Sequence, residues 1–292
     1  MAGPGVQHAM TVDVEDYFQV AALAGAFDPA RWDEVPRRVV PNTQRLLELF
    51  ERHGIRATFF VLGWVAEREP ELVREIAARG HEIACHGYSH QLVYSQTPAV
   101  FRAETLRAKA LLEDIVQRPV DGYRAASYSI TRASLWALDV LADAGFRWDS
   151  SIFPIRHDRY GVPGSPRHPY RLLTPNGATL TEIPLTTAEV LGQRLPAAGG
   201  GYFRLYPYPL SRWLFARAAR SGPGIFYLHP WEVDPAQPRV TNIGALSRFR
   251  HYNNLDRCLA RLEQLLRDFR FTTVSEAVLV HGATARVAAA DL

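Results

Sequence analysis

The run Ala57-Thr58-Phe59-Phe60-Val61-Leu62 constrains this chain more than any other feature. A stretch so apolar and aromatic shows no alternation with polar residues. A strand built from it has no face for water and must be covered on both sides. Its flanks are helical. Before it, Asn42 or Thr43 can N-cap a helix that carries Leu46, Leu47, Leu49 and Phe50 and closes at Gly54. After it, Pro70 opens a helix with Leu72, Val73, Ile76 and Ala77 on one face, stopped by Gly80. A doubly covered strand between helices is the unit of a parallel sheet or barrel.

The alternation continues on both sides. A strand is expected over 9–14, another over 81–85, and a long helix over 98–116. Further strands are expected over 122–124 and 147–149, around a helix with Leu135, Leu138, Val140 and Leu141 that ends near Gly145. From Ser151 to about Gln193 the pattern weakens into a loop rich in Arg, His and Pro, with one strand over 180–184. Gly199-Gly200-Gly201 reads as a flexible turn, 225–229 as a strand, 253–269 as a strongly amphipathic helix and 271–274 as the closing strand. The tail after Ala283 is expected to fray. There is no internal repeat and no low-complexity linker, so all of 1–292 reads as one domain, with a distinct C-terminal half from about 151.

Composition excludes several classes. The net charge is +3, too small and too scattered to argue for nucleic acid. No segment approaches the roughly 20 apolar residues of a membrane span, and the first residues lack the pattern of a signal peptide. The two cysteines, Cys85 and Cys258, do not make a disulfide framework. A soluble cytoplasmic protein is expected, with Cys85 a buried strand residue more readily than a metal ligand.

The candidate chemistry lies at strand ends. His86-Gly87-Tyr88-Ser89-His90 follows the strand over 81–85, and Asp13-Val14-Glu15-Asp16 closes the strand over 9–14. Two imidazoles four positions apart converge on one divalent ion if the backbone coils between them. One carboxylate completes a facial set that leaves positions open for water and substrate. Residues two apart in a strand share a side, which favours Glu15 as that carboxylate, whereas a bulge or turn at the strand end favours Asp16. Both stay candidates. The donor set suits zinc first, but also cobalt, nickel or manganese.

These residues resemble the polysaccharide deacetylases of the NodB-homology type, carbohydrate esterase family 4, and within it the subgroup of exopolysaccharide loci with the exosortase system. The matching blocks are Thr11 to Phe18, Ala57 to Gly63, His86 to His90, Gly122-Tyr123-Arg124, Trp148 to Pro154, Gly200 to Tyr206 and Leu228 to Glu232. The resemblance implies a distorted (β/α) barrel of about seven parallel strands and metal-dependent hydrolysis of N-acetyl groups on an exopolysaccharide or its precursor. It implies His86 and His90 as metal ligands, Asp13 as general base and Arg124 as the arginine that orients it. It also implies His229 as general acid, with Asp149 orienting His229 and raising its pKa. An oxyanion donor is implied in the backbone near Ser127.

The chain departs from the family pattern in places. Val14 follows Asp13 where adjacent aspartates are common; Ala125, Ala126 and Ser127 follow Arg124 in place of Pro and Tyr; Phe153 stands where a Trp often follows Asp149 by four. Tyr128, Trp231, Tyr202 and Phe203 are candidates to stack on sugar faces, and Arg159 and Arg204 to meet anionic sugars. Two alternatives remain: another carbon–nitrogen amide hydrolase on the same scaffold, and a non-catalytic carbohydrate-binding relative.

Overall fold

The computed structural model describes residues 6–279, 282–283 and 285–292. Its centre is β1 (His8–Val14), in which all seven residues are buried. The chain then adds β2 (Thr58–Val61), β3 (Glu82–Cys85), β4 (Gly122–Tyr123), β5 (Trp148–Asp149), β6 (Tyr170–Leu173) and β7 (Thr179–Glu182). There follow β8 (Thr187–Val190), β9 (Gln193–Pro196), β10 (Ile225–Leu228), β11 (Phe271–Thr272) and β12 (Ala285–Ala288). Seven strands run parallel in the order β10-β1-β2-β3-β4-β5-β7, the number expected for the barrel.

The wall between β7 and β10 is closed by irregular chain. Ile225 donates its N–H to Thr186 Oγ1 at 2.6 Å, Ala197 donates to the Thr186 carbonyl at 3.0 Å, and Tyr227 donates to the Ala198 carbonyl at 2.6 Å. Gly199, expected in a flexible turn, is instead wedged against β10 with φ of +122°, and a Cβ there would lie 2.0 Å from the Tyr227 carbonyl oxygen. Only glycine fits so close to another backbone. The helix Gly200–Leu205 starts from this contact.

Alternation along the strands divides the core. Met10, Val12, Phe59, Val61, Ile83 and Cys85 belong to the large core between sheet and outer helices. Ala9, Phe60, Ala84, Trp148, Ile183 and Tyr227 form a smaller core inside the barrel. Asp13 pairs in register with Phe60, so its side chain also points inward. Both cysteines are buried and free, Cys85 as the strand residue expected.

Several elements differ from expectation. The helix expected to start at Asn42 or Thr43 spans Val39–Arg52, because a carboxylate from a distant segment caps it, as described below. The weakly patterned region carries β6, β8 and β9, which are only four residues long and partly exposed. The tail is not frayed: β12 pairs in parallel with β6, and Leu292 is buried. Among the described residues no helix is long and apolar enough to cross a membrane.

Candidate functional site

The end of β1 supplies three carboxylates, and the local backbone sends them to different places. Thr11 and Asp13 face the barrel interior. The Glu15 N–H then donates to the Asp13 carbonyl at 3.1 Å, a tight turn that keeps Glu15 on the same side. Asp16 turns away. Its Oδ2 accepts from the N–H groups of Arg38 and Val39 at 2.6 and 2.9 Å, and its Oδ1 from Tyr17 N–H at 2.8 Å. Those donors are the orphan amides at the start of the helix Val39–Arg52, which explains why that helix begins early. Asp16 is thus a helix cap, not a metal-ligand candidate. Burial pushes its pKa up to about 6 despite these hydrogen bonds.

His86 and His90 follow β3. Gly87 adopts φ of +75° and His90 φ of +56°, and this coiled segment brings the two imidazoles to 5.4 Å between ring centres. A left-handed histidine costs on the order of 1–2 kcal/mol, which the surroundings must hold in place. They do so through Gly63 and Trp64 N–H, which bind the Gly87 and Tyr88 carbonyls at 2.8 and 3.0 Å. His86 Nδ1 lies 2.8 Å from the Arg124 carbonyl. A carbonyl only accepts, so Nδ1 carries the proton and Nε2 keeps its lone pair. Burial pushes the His86 pKa down to about 4, so it stays neutral at physiological pH, as a ligand must.

Ligand atoms of Glu15, His86 and His90 lie within 4.8 Å of one another. Glu15 Oε1 accepts from Trp231 Nε1 at 3.1 Å. Glu15 Oε2 approaches His90 Nε2 at 2.5 Å without hydrogen-bond alignment and has no other partner. A buried carboxylate oxygen left without a donor is costly. Two imidazoles and one orphaned carboxylate oxygen aimed at a common point fit a divalent cation. Burial raises the Glu15 pKa, but His90 and His229 more than reverse this and hold it below the usual carboxylate range.

Arg124 is fully buried beside this set. Its Nη1 donates to Asp13 Oδ1 at 2.6 Å and to Thr11 Oγ1 at 2.8 Å, its Nη2 to Ser150 Oγ at 3.1 Å, and its guanidinium lies 3.9 Å over the Phe60 ring. Oδ1 of Asp13 is therefore anchored, while Oδ2 faces the cleft with Tyr128 Oη at 3.3 Å. Ser127 and Tyr128 are both left-handed, with φ of +50° and +55°, and both line the cleft.

His229 follows β10 with its Nε2 at 3.6 Å from Glu15 Oε1 and 3.9 Å from Asp13 Oδ2. Its Nδ1 lies 2.7 Å from Glu232 Oε1, and Glu232 Oε2 is bound at 2.5 Å by Arg204 Nε. Asp149, expected to orient His229, is elsewhere. It accepts from the Ser151 hydroxyl at 2.6 Å and the Ser151 N–H at 3.2 Å, and pairs across the sheet with Glu182. Asp149 sits at the end of β5, whereas Glu232 is one turn from His229, in the spacing His-x-x-Glu within Leu228 to Glu232. That spacing was the available signal. Burial lowers the His229 pKa, but Glu15, Glu232 and Asp13 outweigh it and raise the value to about 9.

The groups meet in a cleft of about 330 Å³ at the C-terminal ends of the strands. Tyr128, Tyr202 and Trp231 line it, as expected of sugar-stacking aromatics, and Arg159 lies at its wall. Phe203 does not; it packs in the core against Phe226 at 5.0 Å. Arg204 is buried and committed to Glu232 and to the carbonyls of Arg250, His251 and Asn253, so it cannot meet a sugar.

Fold and site together define a (β/α) barrel whose strand ends carry a candidate mononuclear metal centre beside an anchored aspartate and a paired histidine. Residues 30–148 match the family model for polysaccharide deacetylase, and residues 150–279 match a domain of unknown function, DUF3473. A chitooligosaccharide deacetylase of Bradyrhizobium sp. (strain ANU 289) is 33% identical over 100 residues, 34% of this chain and 43% of that protein. A peptidoglycan deacetylase of Helicobacter pylori is 30% identical over 108 residues, 37% of this chain and 36% of that protein. The matched stretch is thus less than half the length of these curated relatives. A putative polysaccharide deacetylase from Mycobacterium smegmatis shares the fold, with a TM-score of 0.62 at 21% identity over 98% of this chain and 96% of that one. Puue allantoinase shares it with a TM-score of 0.56 at 19% identity over 94% and 90%. Over residues 30–148 the chain is thus similar to the polysaccharide deacetylase family, and its fold is the one these solved structures share.

Proposed function

We propose that the protein hydrolyses N-acetyl groups on a polysaccharide, releasing acetate and leaving a free amine on the sugar. The observation that carries this reading is the convergence of Glu15, His86 and His90 beside an Asp13 carboxylate that Arg124 anchors by one oxygen only. Glu15, His86 and His90 would hold the cation, with zinc the first candidate. A cation held there supplies Lewis acidity, polarising the acetyl carbonyl and acidifying water. Asp13 Oδ2 takes the proton of the attacking water, while Arg124 holds the carboxylate fixed by its other oxygen. His229, charged at neutral pH, gives a proton to the sugar nitrogen as the carbon–nitrogen bond breaks. Glu232 and, behind it, Arg204 hold the ring in place. Backbone N–H groups near Ser127 supply the donor for the developing oxyanion.

The sequence resemblance supports an exopolysaccharide or its precursor as the substrate. The buried free cysteines accord with a reducing, cytoplasmic compartment, where the precursor is the available form. The allantoinase of the same fold supports keeping a small amide as the second reading. The test is acetate release by metal-restored protein from N-acetylglucosamine oligomers beside a panel of small amides. Asp13→Asn is expected to retain metal and lose about 10³-fold in kcat. An active Asp13→Asn variant, or turnover of small amides alone, overturns the reading.

A further inference from the structure

Several surface arginines pair with a neighbouring carboxylate, as Arg31, Arg74, Arg79 and Arg102 do. Four others gather along one cleft. The metal-site cleft shares Phe249 and Asn253 with a neighbouring groove of about 560 Å³, so the two lie side by side along one channel-like face. Arg159 and Arg250 stand on the wall of the first part, and Arg239 and Arg248 on the wall of the second. All four are exposed. Among the described residues, Arg159, Arg239 and Arg248 have no carboxylate partner; Arg248 binds the Thr241 carbonyl, and Arg239 lies over the Tyr252 ring. Arg250 meets only Asp158, at 4.0 Å. The ridge between the two parts is Phe249, an exposed aromatic of 54% accessibility.

A wall of four exposed guanidinium groups, three of them without a carboxylate partner among the described residues, is out of keeping with a small neutral amide. A channel that continues past the reacting group is out of keeping with a single sugar. Guanidinium forks match carboxylate and phosphate geometry, and an exposed aromatic ridge suits a sugar face. We propose that this channel binds an anionic glycan: an N-acetylated sugar sits at the metal site, and carboxylate or phosphate groups on its neighbours lie against Arg159, Arg250, Arg239 and Arg248. This proposal rests on the deacetylase reading and narrows its substrate class.

The test uses three N-acetylglucosamine-containing oligomers of equal length: one neutral, one alternating with glucuronate, one carrying a terminal diphosphate. Affinity by calorimetry and acetate release are measured separately on the zinc-loaded full chain. Either anionic oligomer is expected to bind about tenfold tighter than the neutral one at low salt, an advantage largely lost at about 0.5 M sodium chloride. The two anionic arms tell uronate from phosphate. The double variant Arg239→Gln/Arg248→Gln should lose most of the advantage, and Arg239→Lys/Arg248→Lys should keep much of it. Equal binding of the neutral oligomer, an advantage unaffected by the glutamine pair, or tighter binding of an oligonucleotide of equal charge overturns the proposal. Anionic preference in binding without acetate release from any oligomer leaves the channel standing and sinks the deacetylase reading. Equal acetate release from all three with no binding preference does the reverse.

Discussion

Glu15 and Asp16 are neighbours with the same charge, yet one faces the histidines and the other caps a helix. Their variants should therefore fail differently. Glu15→Gln is expected to weaken zinc affinity by at least about tenfold with little change in melting temperature of the metal-free protein. Asp16→Ala is expected to leave affinity intact and to cost about 1–2 kcal/mol of stability through the lost cap. Calorimetric zinc titration beside thermal melts decides, and the opposite pattern would return Asp16 to the metal. The acid has its own signature. His229 must be protonated to donate, so activity falls as pH rises through its pKa, which Glu232 and Asp13 hold up where a bound cation offsets Glu15. Glu232 contributes from the ring nitrogen that faces away from Glu15, so its effect persists when a cation offsets Glu15. Glu232→Gln should move the alkaline limb of kcat/KM to lower pH by about one unit; an unmoved limb would remove Glu232 from the proton path. At this scale the sequence carried Asp13, His86, His90, Arg124 and His229, which the structure brings together. Strand alternation favoured Glu15 correctly, because the turn after Asp13 preserves its side. Asp149 misled because two buried acids compete for the role, and the signal that separates them, the His-x-x-Glu spacing of His229 and Glu232, lies in a different block from Asp149.

At the scale of elements, β5 and β7 place Asp149 and Glu182 in register, both buried. Burial raises both pKa values, Glu182 the more strongly, which favours a proton kept between the two acids. A carboxyl with a raised folded pKa gives its full stabilisation below its unfolded pKa and loses it as pH rises through the folded value. Glu182→Gln keeps a hydrogen towards Asp149 at every pH. Its melting temperature should thus gain on the native protein as pH rises from neutral into the alkaline range, by about 2 °C or more. A constant difference across that range would show that no proton is shared. Helices were the most legible elements: the helix Pro98–Val116 has the expected bounds because Thr97 and Pro98 mark its start. The strands β6, β8, β9 and β12 were not legible. They are four residues long and partly exposed, too short to show a period; β8 and β9 form a local hairpin, and only β12 reaches a partner far back in the sequence.

For the whole molecule, a cation binding three buried ligands from β1 and the loop after β3 stabilises the folded chain by mass action. At a hundredfold excess over its dissociation constant the gain is about 2.7 kcal/mol, or roughly 5 °C in melting temperature. A melt that zinc does not shift, and that chelation does not lower, would count against the centre. The position of β1 has a temporal consequence as well. Glu15, His86, His90, Asp13 and Arg124 all precede residue 125, whereas Arg204, His229 and Glu232 come much later, and β10 must slot in beside β1 to deliver them. On the proposed reading, a chain leaving the ribosome makes its candidate metal ligands early and its proton donor late. The site is whole only once β10 lies beside β1, so cleavage waits on a strand made in the last third of synthesis.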